Sequence, residues 1–266
     1  SRNILADGYE LVVDLDRSHG CRIHDSRRDR EVLDLFSCFA TMPIGWNHPR
    51  LVEQEARLGR IAVNNITNSD LYSVEMAEAI DTIARLSRPD YLPHMFFIAG
   101  GALGVENCLK AAMDWKQQDR TRKGLSGGDD RPNLSIAHLE EAFHGRSGYT
   151  MSVTNTDPVK TDRYVKFDWP RISNPKIHFP IDETESARLD EAEAESLEQL
   201  TAAAEADPDS IAGVIVEPIQ GEGGDNHFRD SYLRDLHRTT HDIGALFIVD
   251  EVQTGMGLTG KMWSHE

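Results

Sequence analysis

The sequence predicts an α/β fold, with a mostly parallel sheet flanked by helices in one large domain and, ahead of it, part of a smaller α+β domain. Three observations carry this prediction. Residues before Trp46 alternate short apolar runs with charge clusters around Gly20. From Trp46 the apolar spacing becomes helical. Beyond that, four short apolar runs each feed a glycine-rich or polar turn, and the turns lead on to helical texture, as in a mostly parallel sheet. The predicted division is therefore residues 1–45 for the N-terminal part of the small domain and 46–266 for the large one.

Taken in order, ELVVDLDRSHGCRIHDSRRDREVLDLFS places Leu11, Val13 and Leu15 on alternate positions, which predicts small antiparallel strands. NHPRLVEQEARLGRIA and SVEMAEAIDTIARLS predict two helices, the second capped by Ser73 with Ala77, Ile80 and Ile83 or Ala84 facing inward. The first strand–turn–helix unit is MFFIA feeding GGALGVENCLKAAMDWK, and the second is LSIAHL feeding EEAFHGRSGYT. In the third, GVIVE feeds PIQGEGG and then a helix, RDSYLRDLHRTTHDIG; in the fourth, ALFIVD feeds EVQTGMG. Residues 121–133 read as a polar surface loop. Residues 181–210 read as an acidic, solvated amphipathic helix with Leu189, Leu197 and Leu200 as its main apolar positions.

Composition excludes several functions. Among 266 residues, 39% are hydrophobic and 27% charged, as in ordinary globular proteins. No apolar run approaches the roughly 20 residues that cross a bilayer, and no leader is visible, so neither a membrane partner nor export is expected. A net charge of -17 without a basic stripe would repel nucleic acid. Cys21, Cys38 and Cys108 are odd in number and lack a C-x-x-C pair, which fits a reducing, cytoplasmic setting better than a disulfide or zinc framework.

In open α/β sheets ligands sit beyond the carboxyl ends of the strands, so the four turns are where chemistry is expected. Gly100, Gly101, Ala102 and Gly104 open a helix whose start would attract an anion such as a phosphate, although a plain tight turn has the same pattern. The run is GGALG rather than G-x-G-x-x-G, which counts against a dinucleotide but leaves a nucleotide-dependent oxidoreductase open. Phe143 could stack on a planar ring and Arg146 could fork onto a carboxylate; core packing and surface charge are the plainer readings. Glu217 ends a strand and Glu222 lies in the turn beyond. Asp250 follows four apolar residues, where a carboxylate needs a cation or a donor, and a protonated pyridine nitrogen would serve. A magnesium ion is the competing partner, but the phosphate-binding G-x-x-x-x-G-K-[ST] loop is missing. His237 and His241 stand four apart as zinc ligands do, yet Arg238 occupies the position that H-E-x-x-H gives to Glu, so no metal site is assigned.

In order, these turns resemble those of the class III, fold-type-I aminotransferases, which bind pyridoxal 5'-phosphate. NHP at 47–49, FFIAGGALGVENCLK, FHGRS, EPIQGEGG and above all IVDEVQTGMGLTGKMW carry the resemblance through nearly the whole chain. NSDLYSVEMAE, AFHGRSGYTMSVTNT, KFDWPRI and EPIQGEGGDNHFR look like the branch acting on the 6-amino group of L-lysine, with 2-oxoglutarate as acceptor, ahead of those acting on ornithine or 4-aminobutyrate. The resemblance implies that Gly101 and Ala102 hold the cofactor phosphate, Phe143 and Val252 cover the two ring faces, and Asp250 holds the pyridine nitrogen. It further implies that Gln253 contacts the ring hydroxyl, with Glu217 in support nearby. Arg146 would grip the substrate α-carboxylate. Glu222 would pair with an arginine that lets go when the acceptor replaces the donor. A cytoplasmic homodimer is implied as well. Two departures stand out: Ala102 sits where many relatives carry Ser or Thr, and none of the seven lysines occupies the Schiff-base position, which is expected past Glu266. The 266 residues alone are thus expected to be inactive, and a non-catalytic homologue remains an alternative.

Overall fold

The computed structural model describes residues 8–64, 71–125 and 133–266. Its residues group into two compact units, one up to Pro93 and one from His94 on.

In the first unit, β1 (Val13–His19), β2 (Arg22–Asp25) and β3 (Arg30–Leu33) form the antiparallel sheet that the alternation predicts. Asp25 anchors it: the buried carboxylate accepts from the backbone N–H of Val12 and Arg27, both at 3.1 Å. The turn α1 (Ser37–Ala40) follows, then α2 (Pro49–Val52), α3 (Glu55–Val63) and α4 (Val74–Leu86). Asp34 accepts from the Trp46 indole at 2.8 Å, and Gly20 bridges to Trp46. Ser73 caps α4 as expected, its Oγ accepting from Met76 N at 3.1 Å. Ile80, Ile83 and Ala84 are half-buried, whereas Ala77 is exposed. The helices that begin near Trp46 therefore cluster with the N-terminal strands, and the boundary of compactness falls at Pro93.

The second unit is built on four parallel strands in the order β5–β4–β6–β9: β4 (Ser135–Leu139), β5 (Arg171–Ile172), β6 (Ile211–Val216) and β9 (Leu246–Val249). A small hairpin of β7 (Ile219–Gln220) and β8 (Asn226–His227) lies beyond β6. The sheet has a core on each face. Val105, Leu109 and Ala112 of α5 (Gly101–Arg122) pack with Ile136, Ala212 and Ile215. On the other face, Leu200 of α7 (Glu183–Ala206) and Tyr232 and Leu236 of α8 (Asp230–Asp242) pack with Ala137, Val214 and Val216. This alternation along β4 is the period-2 signature of a strand covered on both sides. The short α6 (Pro158–Thr161) is capped by Asp157, which accepts from Val159 N at 3.0 Å.

Two expectations need correction. MFFIA is extended but not a strand: among the described residues no neighbour pairs with it, and Phe96 is 73% exposed. An apolar run becomes a strand only when another strand supplies its hydrogen bonds, and β9 stands at the sheet edge without this partner. The acidic helix α7 is not solvated on all its acids: Glu193 is buried and accepts from Arg229 at 2.7 Å, because a cation from the next element replaces the water it gives up. Most of the loop read at 121–133 lies outside the described residues, as do the first three residues of NSDLYSVEMAE.

Candidate active site

The carboxyl ends of β4, β6 and β9 deliver three segments to one edge of the sheet, and α5 starts beside them. Asp250 is the residue after β9. Its backbone N–H still donates to Val216 O at 2.8 Å, extending the ladder one step and fixing where the side chain emerges. The carboxylate is 8% exposed, so its charge needs donors. Oδ1 accepts from Val252 N at 3.0 Å and Oδ2 from His144 Nδ1 at 2.7 Å.

His144 is a site residue the sequence reading passed over. It is buried, and a carboxylate on Nδ1 requires the proton there. Thr154 holds it in place: Thr154 Oγ accepts from His144 N at 2.9 Å and donates to Gly145 O at 2.6 Å. Nε2 of His144 is buried with no hydrogen-bond partner among the described residues. A histidine inside the FHGR segment was the only available signal, and its partner lies 106 residues away.

Phe143, next to it, is half-buried, and its N–H donates to Glu217 Oε2 at 3.1 Å. Glu217 is 5% exposed at the end of β6. Burial pushes its carboxyl up to about 7; the His144 ring and the Phe143 N–H oppose this, while the charges of Asp250 and Glu222 add to it. Glu217 therefore exchanges a proton near neutrality.

The GGALG turn starts α5 with Gly100 at φ 95° and no side-chain cap, so the first N–H groups of a 22-residue helix are left for an anion. Gly101 and Ala102 lie in this first turn. A Cβ on Gly101 would stand 3.1 Å from Val252 Cγ1, and one on Gly145 would stand 2.5 Å from Ala102 Cβ. Missing side chains thus bring the β4 turn, the β9 turn and the start of α5 together. Gly221 does the same for Gln253, whose amide carbon would lie 3.1 Å from a Cβ there.

Val252 is 60% exposed and Arg146 is exposed at the rim, with no hydrogen bond or ion pair among the described residues. Glu222 pairs with Lys160 of α6, whose Nζ lies 5.9 Å from the centroid of the Phe143 ring. Lys160 is the second residue the sequence reading missed. His237 and His241 sit on α8, away from this edge, with ring nitrogens 3.1 Å apart; among the described residues no group of three metal-ligating side chains is assembled. No helix among the described residues is long and apolar enough to cross a membrane.

The arrangement can hold an anion at the start of α5, a flat ring between Phe143 and Val252, and a ring cation on Asp250. These are the donors and surfaces a pyridoxal phosphate needs.

Similarity to known proteins agrees with this geometry. The L-lysine-epsilon aminotransferase of Streptomyces clavuligerus is 48% identical across all of this chain, which covers 58% of that protein. The mitochondrial 4-aminobutyrate aminotransferase of Homo sapiens is 31% identical, with 98% of this chain and 55% of that one covered. A solved lysine aminotransferase from M. tuberculosis superposes with a TM-score of 0.92 at 47% identity, covering 99% of this chain and 60% of that one. The chain thus spans about three-fifths of the length of these lysine aminotransferases. Residues 4–266 match the family model for class-III aminotransferases, and with that match and those relatives the chain belongs to the class-III aminotransferase family.

Proposed function

We propose that the protein containing this chain transfers the 6-amino group of L-lysine to 2-oxoglutarate, giving L-2-aminoadipate 6-semialdehyde and L-glutamate in two half-reactions at one pyridoxal phosphate. The observation that carries the substrate is the identity to the lysine-specific relatives, well above that to the 4-aminobutyrate enzyme.

When bound, the cofactor supplies an electron sink for the carbon losing its amino group. This chain's residues do the rest of what can be assigned. The N–H groups of Gly101 and Ala102 bind the phosphate at the start of α5. Phe143 and Val252 flank the ring, and Gln253 reaches its hydroxyl across Gly221. Asp250 holds the ring nitrogen protonated, and His144 and Thr154 keep its carboxylate aimed. Glu217 sits behind Phe143 as a reservoir for one proton near neutral pH. Arg146 offers a forked cation at the rim for the α-carboxylate of the donor. The nucleophilic lysine belongs to the part of the relatives that these 266 residues do not span, and two copies form the working unit.

The test is the full-length protein assayed with L-lysine, L-ornithine and 4-aminobutyrate against 2-oxoglutarate. The highest kcat/KM is expected for lysine; a higher value for either other amine overturns the assignment.

A further inference from the structure

We propose that Glu106 is a positioning residue for substrate choice: through Ser147 it holds the turn that carries Arg146, and so sets where that guanidinium meets the α-carboxylate of the amine donor. This rests on the reading of function above and deepens it.

Arg146 is exposed, and among the described residues no hydrogen bond or ion pair holds its side chain. A long side chain without partners is aimed by the backbone beneath it, since every rotamer swings from the same Cα. Both flanks of Arg146 are pinned. On one side, Gly145 O accepts from Thr154 Oγ at 2.6 Å, and a Cβ on Gly145 would stand 2.5 Å from Ala102 Cβ. On the other, Ser147 N donates to Thr150 Oγ at 2.8 Å, which closes the turn on itself without tying it to anything else. The Ser147 hydroxyl makes that tie: it donates to Glu106, in the second turn of α5. Glu106 is held in turn by Lys110, whose Nζ lies 3.1 Å from Oε1. The Ser147 hydroxyl keeps the carboxyl below its ordinary 4.5 although burial works against this, and Lys110 and the Tyr149 N–H add to the lowering. The helix dipole and the Lys110 pair account for an acid near the start of α5, but not for its bond to the residue after Arg146. One helix thus serves both ends of the reacting pair. Its first turn is assigned to the cofactor phosphate and its second fixes Arg146, so the spacing from cofactor to substrate carboxylate is set along α5, and a donor that reacts at its far amine depends on that spacing.

The experiment uses full-length protein loaded with cofactor, as wild type, Glu106→Ala, Glu106→Gln, Ser147→Ala, Arg146→Met and the double variant Arg146→Met/Glu106→Ala. With 2-oxoglutarate as acceptor, kcat and KM are measured for L-lysine and for L-lysinamide, the same donor with a neutral amide in place of the carboxylate. Arg146→Met is expected to lower the lysine-to-lysinamide ratio of kcat/KM by roughly thirtyfold, within the range for a lost charged hydrogen bond. Glu106→Ala and Ser147→Ala are each expected to lower that ratio by roughly tenfold, chiefly by raising KM for lysine, as a misplaced binding group does. Glu106→Gln, which loses the charge but keeps an acceptor for Ser147, is expected to recover most of the ratio. With Arg146 already replaced, Glu106→Ala is expected to change it by no more than about twofold, the mark of two residues acting through one contact. An unchanged ratio in Glu106→Ala, an equal fall with both donors, as a merely structural role would give, a Glu106→Gln as poor as Glu106→Ala, or the full loss persisting in the Arg146→Met background overturns the proposal. Failure of the functional reading looks different: wild type then turns over neither donor, or Arg146→Met itself leaves the ratio unchanged, and the proposal falls with that reading.

Discussion

Asp250 leaves the last strand with little water and two side-chain hydrogen bonds, one of them from His144, and the proposed chemistry depends on it more than on any other side chain. Replacing it with Asn keeps the shape but removes the charge that would hold a ring nitrogen protonated. In the full-length protein, Asp250→Asn is expected to lower kcat by about a hundredfold or more, the scale for losing one preorganised electrostatic partner, with folding intact by circular dichroism. His144→Gln is expected to cost about tenfold, as the loss of one charge-assisted hydrogen bond does. Glu217 gives a prediction for stability. Its folded carboxyl titrates at about 7, above the ordinary 4.5, so the unfolded chain releases this proton first as pH rises. The contribution of Glu217 is therefore complete below about pH 4.5 and falls as pH climbs through 7. Glu217→Gln, which keeps the acceptor for Phe143 N, is expected to stabilise the cofactor-free full-length protein by about 2–3 kcal/mol at pH 8 and by little at pH 4.5. Urea midpoints at the two values check this; an equal change at both would contradict a buried, proton-sharing Glu217.

At the scale of elements, the site is a meeting of three turns with the start of α5, and glycines permit the approach. Gly145 has φ 110° and abuts Ala102, so Gly145→Ala combines backbone strain with a clash against another backbone segment. It is expected to destabilise by about 2–4 kcal/mol and to lower cofactor affinity at least tenfold, measured by denaturation and by fluorescence titration with pyridoxal phosphate. Much of this was legible beforehand because strand ends and turns are local in sequence. LSIAHL, GVIVE and ALFIVD became β4, β6 and β9, and Asp250 and Glu217 fell at strand ends as read. What was not legible was pairing across distance. His144 and Asp250 are 106 residues apart and Lys160 and Glu222 are 62 apart, and nothing in either local pattern names the partner. MFFIA fails as a strand for the same reason: β structure is a property of two segments, and its apolar texture says nothing about the neighbour.

Across the whole molecule, the proposed cofactor cradle and the proposed amine rest on different grounds. The cradle follows from physical chemistry of residues that touch: a helix start for an anion, a ring surface, a buried carboxylate for a cation. The amine follows from similarity to proteins that this chain matches over its full length, while it covers about three-fifths of theirs. The proposed regiochemistry of amino transfer joins these two, since a rim arginine holding the α-carboxylate would leave the far amine to reach the cofactor. Full-length protein is given L-lysine labelled with heavy nitrogen at either the 6-position or the 2-position, together with 2-oxoglutarate, and the glutamate formed is examined by mass spectrometry. Label is expected in glutamate from the 6-labelled lysine alone; label arriving from the 2-position, or no labelled glutamate from either, would contradict the account.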